Sequence, residues 1–347
     1  MIITRTPFRI TLGGGGTDLP SFYTDHGGFI FAMCINKYMY IMLNRRSVAD
    51  RKIVVRYSKV ETVDDIEEIQ HPLAREALRM HNVRENIELT SIADMPARTG
   101  LGSSGAYLVG LLTAIRAYRG EPASSVDIAE EACHIEINVL HEPVGKQDQY
   151  MAALGGFRVL EISKSGQVAI RRVPVDFQLA TELVSKARVY YTGVQRRATA
   201  VLKEQDEAAR RQERPDHQRV VDCLLHIKDI GYRILKSFEE RDLDTFGKLL
   251  DEHWTYKKKM SARISLSVID SLYDHVKKEF GVLGGKIIGA GGGGFLMLYC
   301  PGRGRELDSF MAEQQMPRID YFPALQGSRV VSDMSAFDDF GWQVARP

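Results

Sequence analysis

Apolar and polar residues alternate through much of the first 60 residues, which predicts a region of β-strands. β-branched and aromatic residues dominate the runs at 2–10, 29–35, 38–43 and 53–57, as is typical of strands. A run of four glycines at 13–16 interrupts them. Further along, residues 72–80 predict a short helix and residues 86–91 another strand.

The pattern then becomes more helical. Residues 106–118 are apolar almost all the way round, which predicts a helix buried on every side. Residues 127–141 predict an amphipathic helix with Ser124 or Ser125 as its N-cap. Strands are expected at 157–162, 168–173, 286–289, 295–299 and 329–332, and helices at 195–214, 217–240, 242–258 and 267–280. These blocks predict an α+β protein with two domains, 1–175 and 176–347.

Composition is that of a globular protein with balanced charge. The 347 residues are 44% hydrophobic and 26% charged, with a net charge of +1. This length suits two domains, and the charge gives no reason to expect nucleic acid or an acidic membrane surface. Four scattered cysteines without a CxxC pair are typical of a reduced protein. Without a signal-peptide core or an apolar stretch of membrane-spanning length, we expect a cytoplasmic protein.

Three glycine-rich segments stand out: GGGGTD at 13–18, GLGSSGA at 100–106 and GAGGGGF at 289–295. Glycine runs lose much conformational entropy on folding. Each segment could be a tight turn, but three in one chain favour a close approach of backbone N–H groups to a ligand, often phosphate.

The second segment matches G-x-G-x-x-G, yet its context disfavours a dinucleotide site. A loop at 94–99 separates it from the preceding strand, and the buried helix leads to another helix. No Lys-Ser/Thr pair follows, so it is not a Walker loop either. A loop that opens a buried helix still attracts phosphate. Ser103 and Ser104 can cap that helix, touch phosphate or ligate Mg²⁺.

Two carboxylates are candidates for chemistry. On a helical wheel of 128–140, Glu136 lies near the middle of the apolar arc. A carboxylate there needs a buried Arg or Lys, or a divalent metal. Asp148 follows in a predicted loop at 144–149, where it could take a proton from a substrate hydroxyl or bond its own backbone. The lysines at 257–259 are interpreted as part of a solvated helix end.

These segments resemble, in chain order, the three motifs of the GHMP kinase superfamily, named for galacto-, homoserine, mevalonate and phosphomevalonate kinases. Residues 7–10 with 13–18 are similar to the first motif, 96–106 to the second and 289–295 to the third. Glu136 precedes Asp148 by 12 residues, similar to the metal-binding Glu and catalytic Asp of galactokinase. The resemblance implies a ribosomal S5 domain 2-like N-terminal domain, a ferredoxin-like C-terminal domain and an active site in the cleft between them.

The resemblance also implies an ATP-dependent kinase that uses Mg²⁺, with a role for each matching residue. Asp148 is the expected base, Arg9 is expected to steady the transferring charge, and Ser104 and Glu136 are expected to hold Mg²⁺. The ATP phosphates are expected on Gly100, Leu101, Gly102, Ser103, Ser104 and Gly105. The acceptor is expected to contact Gly13, Gly14, Gly15, Gly16, Thr17, Asp18, Gly292, Arg196 and Arg197.

Within the superfamily, segments such as 13–23, 134–140 and 145–157 resemble D-glycero-α-D-manno-heptose 7-phosphate kinases. This implies phosphoryl transfer to the anomeric hydroxyl of heptose 7-phosphate, which gives the 1,7-bisphosphate. Arg196 and Arg197 are the expected contacts for the distal phosphate, with Lys146 and Arg98 as alternatives. A galactose- or fucose-type kinase and a non-catalytic sugar and ATP sensor are the alternative functions. Expected partners are ATP and a sugar phosphate, and a homodimer is one option for the assembly.

Overall fold

The computed structural model describes residues 1–46, 51–97, 99–194, 198–211, 213–261, 263–265 and 267–334. Two sheets organise this part of the chain, and helices pack against both of them. Within the described residues, no helix combines the length and the apolar character needed to cross a membrane.

The first sheet is built mostly from strands of the N-terminal half. Its strands are β1 (Ile2–Gly13), β2 (Gly28–Arg45), β3 (Ile53–Arg56), β4 (Val60–Val63), β5 (Ile87–Ala93), β6 (Phe157–Ile162), β7 (Val168–Arg172) and β12 (Arg329–Asp333). Their order is β12-β1-β2-β5-β3-β4, with β6 paired to β2 and β7 to β6. The long antiparallel pair β1–β2 forms its centre, with Ile2 opposite Leu43 and Gly13 opposite Phe31.

The second sheet is smaller and antiparallel. Its strands are β8 (Ala187–Tyr191), β9 (Gly284–Ile287), β10 (Phe295–Tyr299) and β11 (Arg318–Ile319), in the order β11-β8-β10-β9. The domain boundary predicted at 175/176 falls after β7 and before the first strand of this sheet, and it stays a prediction. The last strand of the first sheet, β12, comes from beyond that boundary and pairs with β1.

Helices cover both sheets. They are α1 (Pro20–His26), α2 (Pro72–Met80), α3 (Ser103–Arg119), α4 (Ser125–Cys133), α5 (Gln147–Leu154), α6 (Phe177–Lys186), α7 (Ala198–Arg210), α8 (His217–Glu239), α9 (Leu243–Met260), α10 (Ser267–Phe280) and α11 (Gly304–Glu313). A 3₁₀ turn (Ile66–Glu68) and a π-helical turn (His134–Val139) complete them.

Helix α3 is the buried helix that the apolar run predicts. It lies against β1, where Thr4 Oγ1 donates to the carbonyl of Gly110 at 2.9 Å. A Cβ on Gly110 would lie 2.7 Å from Oγ1 of Thr6, so glycine is needed for this close packing. The sheet therefore holds the N-terminus of α3 in a fixed place beside β1.

Two predicted elements differ from the structure near the candidate chemistry. The helix expected at 127–141 is α4 followed by the π-helical turn, a feature often found at functional sites. Ser124 is its cap, in a capping box with Asp127. The loop expected around Asp148 is wrong, because Asp148 lies in the first turn of α5.

Candidate active site

The second glycine-rich segment opens α3. Gly102 precedes the first helical residue and has a φ of 79°, a left-handed conformation that favours glycine. No side chain caps this helix end. Ser103 and Ser104 therefore do not cap this helix, which was one of the roles predicted for them. The N-terminal end of α3, with its partial positive charge, remains available to an anion.

Asp148 lies directly against this loop. A Cβ on Gly102 would lie 3.1 Å from Cγ of Asp148, and a Cβ on Gly105 would lie 2.8 Å from Cβ of Asp148. The two elements approach this closely because neither glycine carries a side chain. An anion bound to the loop would thus be a near neighbour of the Asp148 carboxylate.

Arg9 joins β1, the loop and α5 at one point. Its Nε donates to Oδ1 of Asp148 at 2.7 Å, and its Nη2 lies 2.6 Å from the same oxygen. Its Nη1 donates to the carbonyl of Gly100 at 2.6 Å. Both contacts with Asp148 use Oδ1, so Arg9 fixes the carboxylate without occupying Oδ2.

The third glycine-rich segment packs on the second. A Cβ on Gly289 would lie 2.6 Å from Cα of Gly100, and a Cβ on Gly294 would lie 2.3 Å from the carbonyl oxygen of Thr99. Gly292 donates its backbone N–H to the carbonyl of Ile264 at 2.8 Å. The segment at 289–295, next to the second sheet, is therefore held against the loop at 100–105.

The first glycine-rich segment divides into two parts. Gly13 and Gly14 make backbone contacts, because a Cβ on Gly13 would lie 2.9 Å from Cα of Gly231 and a Cβ on Gly14 would overlap the carbonyl of Phe29. Gly15 and Gly16 instead line a pocket. The structure thus gives Gly13 and Gly14 a packing role, and their predicted contact with an acceptor stays a prediction.

Thr17 and Asp18, the last two residues of this segment, have different surroundings. The Thr17 hydroxyl bonds the carbonyls of Gly14 and Phe29 at 2.8 and 2.7 Å. Asp18 lines the pocket and accepts from the backbone N–H of Gln147 at 3.1 Å. Burial raises the pKa of Asp18 to about 6, and the nearby charge of Asp148 adds to the shift. Asp18 is thus the residue of this pair that lines the pocket, and the predicted contact of both residues with an acceptor stays a prediction.

Glu136 is a buried carboxylate with neutral partners. It lies in the π-helical turn, and Nε2 of Gln149 and the hydroxyl of Ser104 donate hydrogen bonds to it. Burial raises the pKa of Glu136 to about 7. No Arg or Lys of the described residues forms an ion pair with it, so the buried-cation alternative finds no support. The carboxylate and the Ser104 hydroxyl form an oxygen pair at the start of α3.

Three basic side chains of the pocket were missed from the sequence. Lys257 and His253 come from α9 and Lys286 from β9, and all three line the same pocket as Arg9 and Asp148. They are buried, at 6%, 1% and 3% exposure respectively. The interpretation of Lys257 as part of a solvated helix end is therefore wrong.

A sequence signal for Lys257 was present. Leu250, Trp254 and Lys257 follow at helical spacing on α9, and all are buried. The wheel argument that located Glu136 would have placed Lys257 on the apolar face. The sequence signal for Lys286 was weaker. All four residues of its short strand are buried, so the strand has no alternation of apolar and polar positions that would set Lys286 apart.

The basic residues expected to hold a distal phosphate are only partly described. Arg98, Arg196 and Arg197 lie outside the described residues, so their roles stay predictions. Lys146 is described, and its Nζ donates to both carboxylate oxygens of Glu130 at 2.9 and 3.1 Å and to the carbonyl of Gly166 at 2.7 Å. Lys146 is thus occupied by an internal ion pair.

The pocket combines the carboxylates of Asp18 and Asp148 with buried basic side chains, and it lies beside the loop at 100–105. It is lined by Arg9, Thr11, Gly15, Gly16, Asp18, Leu19, Val144, Gly145, Gln147, Asp148, Gln205, His253, Lys257, Lys286, Gly289 and Ala290. Such an arrangement can hold an anionic group on the loop, accept a proton from a hydroxyl and stabilise negative charge.

Comparison with known proteins matches both halves of the chain to one family. The profile described as GHMP kinases N terminal domain matches residues 69–156, and that described as GHMP kinases C terminal matches residues 234–313. The first match includes the loop at 100–105, Glu136 and Asp148. The second includes Lys257, Lys286 and the third glycine-rich segment.

Whole-chain relatives point the same way. D-glycero-alpha-D-manno-heptose 7-phosphate kinase of Campylobacter jejuni is 25% identical over 86% of this chain and 89% of its own length. L-fucokinase/L-fucose-1-P guanylyltransferase of Bacteroides fragilis is 26% identical over 85% of this chain and 34% of its own length. The crystal structure of a D-glycero-D-manno-heptose 1-phosphate kinase from Bacteroides thetaiotaomicron superposes with a TM-score of 0.77 at 21% identity, over 96% of this chain and 99% of its own.

Proposed function

The chain belongs to the GHMP kinases and is an ATP-dependent sugar kinase, and on that premise we propose that its acceptor is D-glycero-α-D-manno-heptose 7-phosphate. The reaction forms the 1,7-bisphosphate by transfer of the γ-phosphoryl group of ATP to the anomeric hydroxyl. The observation that carries the proposal is the pocket beside the loop at 100–105, where Asp148 shares one cavity with Arg9, Lys257 and Lys286.

The loop and the N-terminus of α3 are the site for the ATP phosphates. Backbone N–H groups at a helix N-terminus bind phosphate oxygens. In this arrangement Gly100, Gly102 and Gly105 allow the phosphates to approach the backbone next to Asp148, as the close contacts of Gly102 and Gly105 with that residue support.

Asp148 acts as the base in this proposal. Its carboxylate accepts the proton of the anomeric hydroxyl while that oxygen bonds to the γ-phosphorus, and the bond from phosphorus to the bridging oxygen of ADP breaks. Arg9 holds Asp148 through Oδ1, so the other carboxylate oxygen can face the hydroxyl. The guanidinium also provides positive charge next to the transferring group.

Glu136 and Ser104 fit a Mg²⁺ site. Glu136 is a buried carboxylate with neutral partners, one of which is the Ser104 hydroxyl. Within the described residues, no three His, Cys, Asp or Glu side chains form a metal site by themselves, which suits Mg²⁺ because it takes few protein ligands together with phosphate oxygens and water. When bound, Mg²⁺ would neutralise charge on the ATP phosphates.

The acceptor end of the pocket fits a sugar that carries charge. Asp18, Thr11 and Gln147 form a hydrogen-bonded group there, with Thr11 Oγ1 donating to Gln147 Oε1 at 2.5 Å. Such groups can bond sugar hydroxyls. The neighbouring lysines favour a phosphorylated sugar over galactose or fucose, because a neutral sugar would leave their charges unpaired.

A coupled assay of ADP release tests this proposal. Purified protein is given ATP and Mg²⁺ with heptose 7-phosphate, the unphosphorylated heptose, galactose, L-fucose or no sugar, and the product is identified by ³¹P NMR. We expect kcat/KM for heptose 7-phosphate to exceed that for every unphosphorylated sugar by at least about 10²-fold. Equal or better turnover of galactose or L-fucose would refute the acceptor, and absence of turnover with all sugars would favour a sensor.

A further inference from the structure

The pocket contains two lysines that no carboxylate of the described residues pairs with. Lys257 Nζ donates to the carbonyl of Gly289, and Lys286 Nζ donates to the carbonyl of Leu12 at 3.1 Å. These acceptors are neutral. Neither lysine forms an ion pair with a carboxylate of the described residues; instead each is repelled by the charge of Arg9.

His253 faces the same two lysines with unused hydrogen-bonding capacity. Neither of its ring nitrogens has a hydrogen-bond partner within the described part of the protein, although the side chain is 1% exposed. Buried polar groups are nearly always hydrogen-bonded. An unpaired imidazole at the wall of a pocket therefore indicates a missing ligand group.

Burial of these cations without an anion is unfavourable. Burial lowers the pKa of Lys257 to about 8 and holds the pKa of Lys286 well below its usual range. The charge of Arg9 lowers both values further, and the charge of Lys257 adds to the shift of Lys286. Burying unpaired charge destabilises a fold unless a partner of opposite charge binds there. Lys257, Lys286 and His253 thus have the properties of a preformed anion site.

ATP does not need these cations for its own neutralisation. Its phosphates have the loop at 100–105 and the oxygen pair of Glu136 and Ser104, which would bring a divalent cation with it. Lys286 instead contacts the carbonyl of Leu12, three residues along β1 from Arg9 and next to the segment of Gly15 and Gly16. That position puts Lys286 at the acceptor end of the pocket, whereas Lys257 contacts the carbonyl of Gly289, which packs on Gly100 of the loop.

We propose that Lys257, Lys286 and His253 bind the phosphate group that the acceptor already carries. This inference rests on the proposed sugar-phosphate kinase function and assigns the residues that select the phosphorylated substrate. A phosphate monoester has a charge of about −2 at neutral pH, which matches the two lysines, and His253 supplies a neutral N–H donor. The site would then accept sugar phosphates and reject free sugars.

Substitution of the lysines tests the assignment through substrate selectivity. In Lys257→Met and Lys286→Met, we expect the ratio of kcat/KM for heptose 7-phosphate to kcat/KM for the unphosphorylated heptose to fall by about 10²-fold, since a charge-assisted contact is lost. Lys257→Arg should recover part of the ratio. His253→Phe should lower it by about tenfold. Lys259→Met, on the exposed side of α9, is the matched control and should keep the ratio.

Thermal unfolding gives a second readout that a structural role would not produce. Without ligand, Lys257→Met should melt at the same or a higher temperature than the wild type, because an uncompensated buried charge has been removed. The stabilisation that heptose 7-phosphate gives the wild type should be absent in this variant.

Two results would overturn the assignment. One is an equal loss of kcat with phosphorylated and unphosphorylated heptose, which would place the lysines on the transferred phosphoryl group. The other is a raised KM for ATP with an unchanged selectivity ratio, which would place them in the nucleotide site.

Failure of the wider function can be recognised separately. If the wild type does not phosphorylate heptose 7-phosphate, the proposed function is wrong, and the anion site is tested by calorimetric titration with D-mannose 6-phosphate. Binding that is lost in Lys257→Met would support the site with another sugar phosphate. No binding, or equal binding by wild type and variant, would refute it.

Discussion

Arg9 and Asp148 form a two-point contact in which Nε and Nη2 of the guanidinium lie 2.7 and 2.6 Å from a single carboxylate oxygen. The contact spans 139 residues of sequence and connects β1 to the first turn of α5. It fixes one oxygen of Asp148 and leaves the other for a substrate hydroxyl. The proposed base is therefore positioned before any ligand binds.

The first prediction concerns this base. Asp148→Asn should lower kcat by about 10²–10⁴-fold, the usual contribution of general-base catalysis, with much smaller changes in the KM values of both substrates. Steady-state kinetics on the purified variant provide the measurement, with Asp320→Asn on the exposed surface as control. Near-normal turnover would show that positioning alone accelerates the transfer.

The second prediction concerns the metal. Glu136→Gln should raise the Mg²⁺ concentration for half-maximal rate by at least about tenfold, as expected when a metal site loses a ligand. The melting temperature without metal should stay the same or rise, since the native partners of Glu136 are neutral. Glu161→Gln, an exposed carboxylate on β6, is the control. A lower melting temperature with an unchanged Mg²⁺ requirement would instead indicate a structural ion pair.

The third prediction is a pH dependence of stability without metal. Burial raises the pKa of Glu136 from 4.5 to about 7 in the folded state, so between these values the folded protein holds a proton that the unfolded chain has released. The contribution of Glu136 to the free energy of unfolding should therefore fall as pH rises from 4.5 to 7. Asp18 acts in the same direction up to about pH 6.

Urea unfolding at several pH values in a chelator measures this dependence. His253 and Lys286 act in the opposite direction, because burial holds the pKa of each well below its usual value and they bind protons on unfolding. The contribution of Glu136 is therefore the difference between wild type and Glu136→Gln, whose free energy of unfolding should decline less, or rise more, between pH 6 and 7. Identical slopes in wild type and variant over pH 6–7 would contradict the assignment.

The fourth prediction concerns the loop at 100–105. Gly102→Val combines backbone strain at a φ of 79° with a side chain directed at Asp148 and Arg9, whose atoms lie 3.1 and 3.4 Å from the Cβ position. We expect kcat/KM for ATP to fall by about 10²-fold, since small displacements of reacting groups have effects of this size. Gly281→Val is the matched control, because Gly281 has a φ of 69° with no neighbour within 4 Å. Equal effects of the two substitutions would show that strain alone is responsible.

The fifth prediction concerns the acceptor at alkaline pH. Lys257 has a pKa of about 8, lowered by burial and by the charge of Arg9, and an anion binds its protonated form. Above pH 8 the free protein loses this proton, so the KM for heptose 7-phosphate should rise up to tenfold per pH unit. The phosphate itself is already fully ionised there. Lys286, Arg9 and His253 face the same group, so Lys257→Met is needed for comparison and should remove most of the rise. A flat profile in the wild type would contradict this role.

Local patterns predicted much of this molecule because they report which face of an element is buried. The wheel of 128–140 placed Glu136 inside, and the apolar run at 106–118 identified α3 as a buried helix; both are confirmed. The same reasoning would have placed Lys257 inside, but three consecutive lysines suggested a solvated surface. The charge of the three lysines concealed the burial of Lys257, which the helical spacing of apolar residues on α9 would have revealed.

Other features depend on contacts between distant parts of the chain. The short helix α5 has no strong local signal, and its first turn is defined by Asp18, whose carboxylate accepts from the N–H of Gln147 across 129 residues. The π-helical turn likewise depends on distant residues, because Glu136 accepts hydrogen bonds from Gln149 on α5 and from Ser104 on α3. Sequence patterns alone do not contain these distances, so they placed Asp148 in a loop instead of in the first turn of α5.

The pairing of β12 with β1 also has a consequence for biosynthesis. Asp333 lies opposite Ile2, so the edge of the central sheet cannot be completed until almost all of the described chain has left the ribosome. Until then β1 exposes unpaired backbone groups, the kind of edge that promotes aggregation. Arg9 lies on the same strand, four residues beyond the last residue of β1 that pairs with β12, so the strand that carries this residue is completed only late in translation.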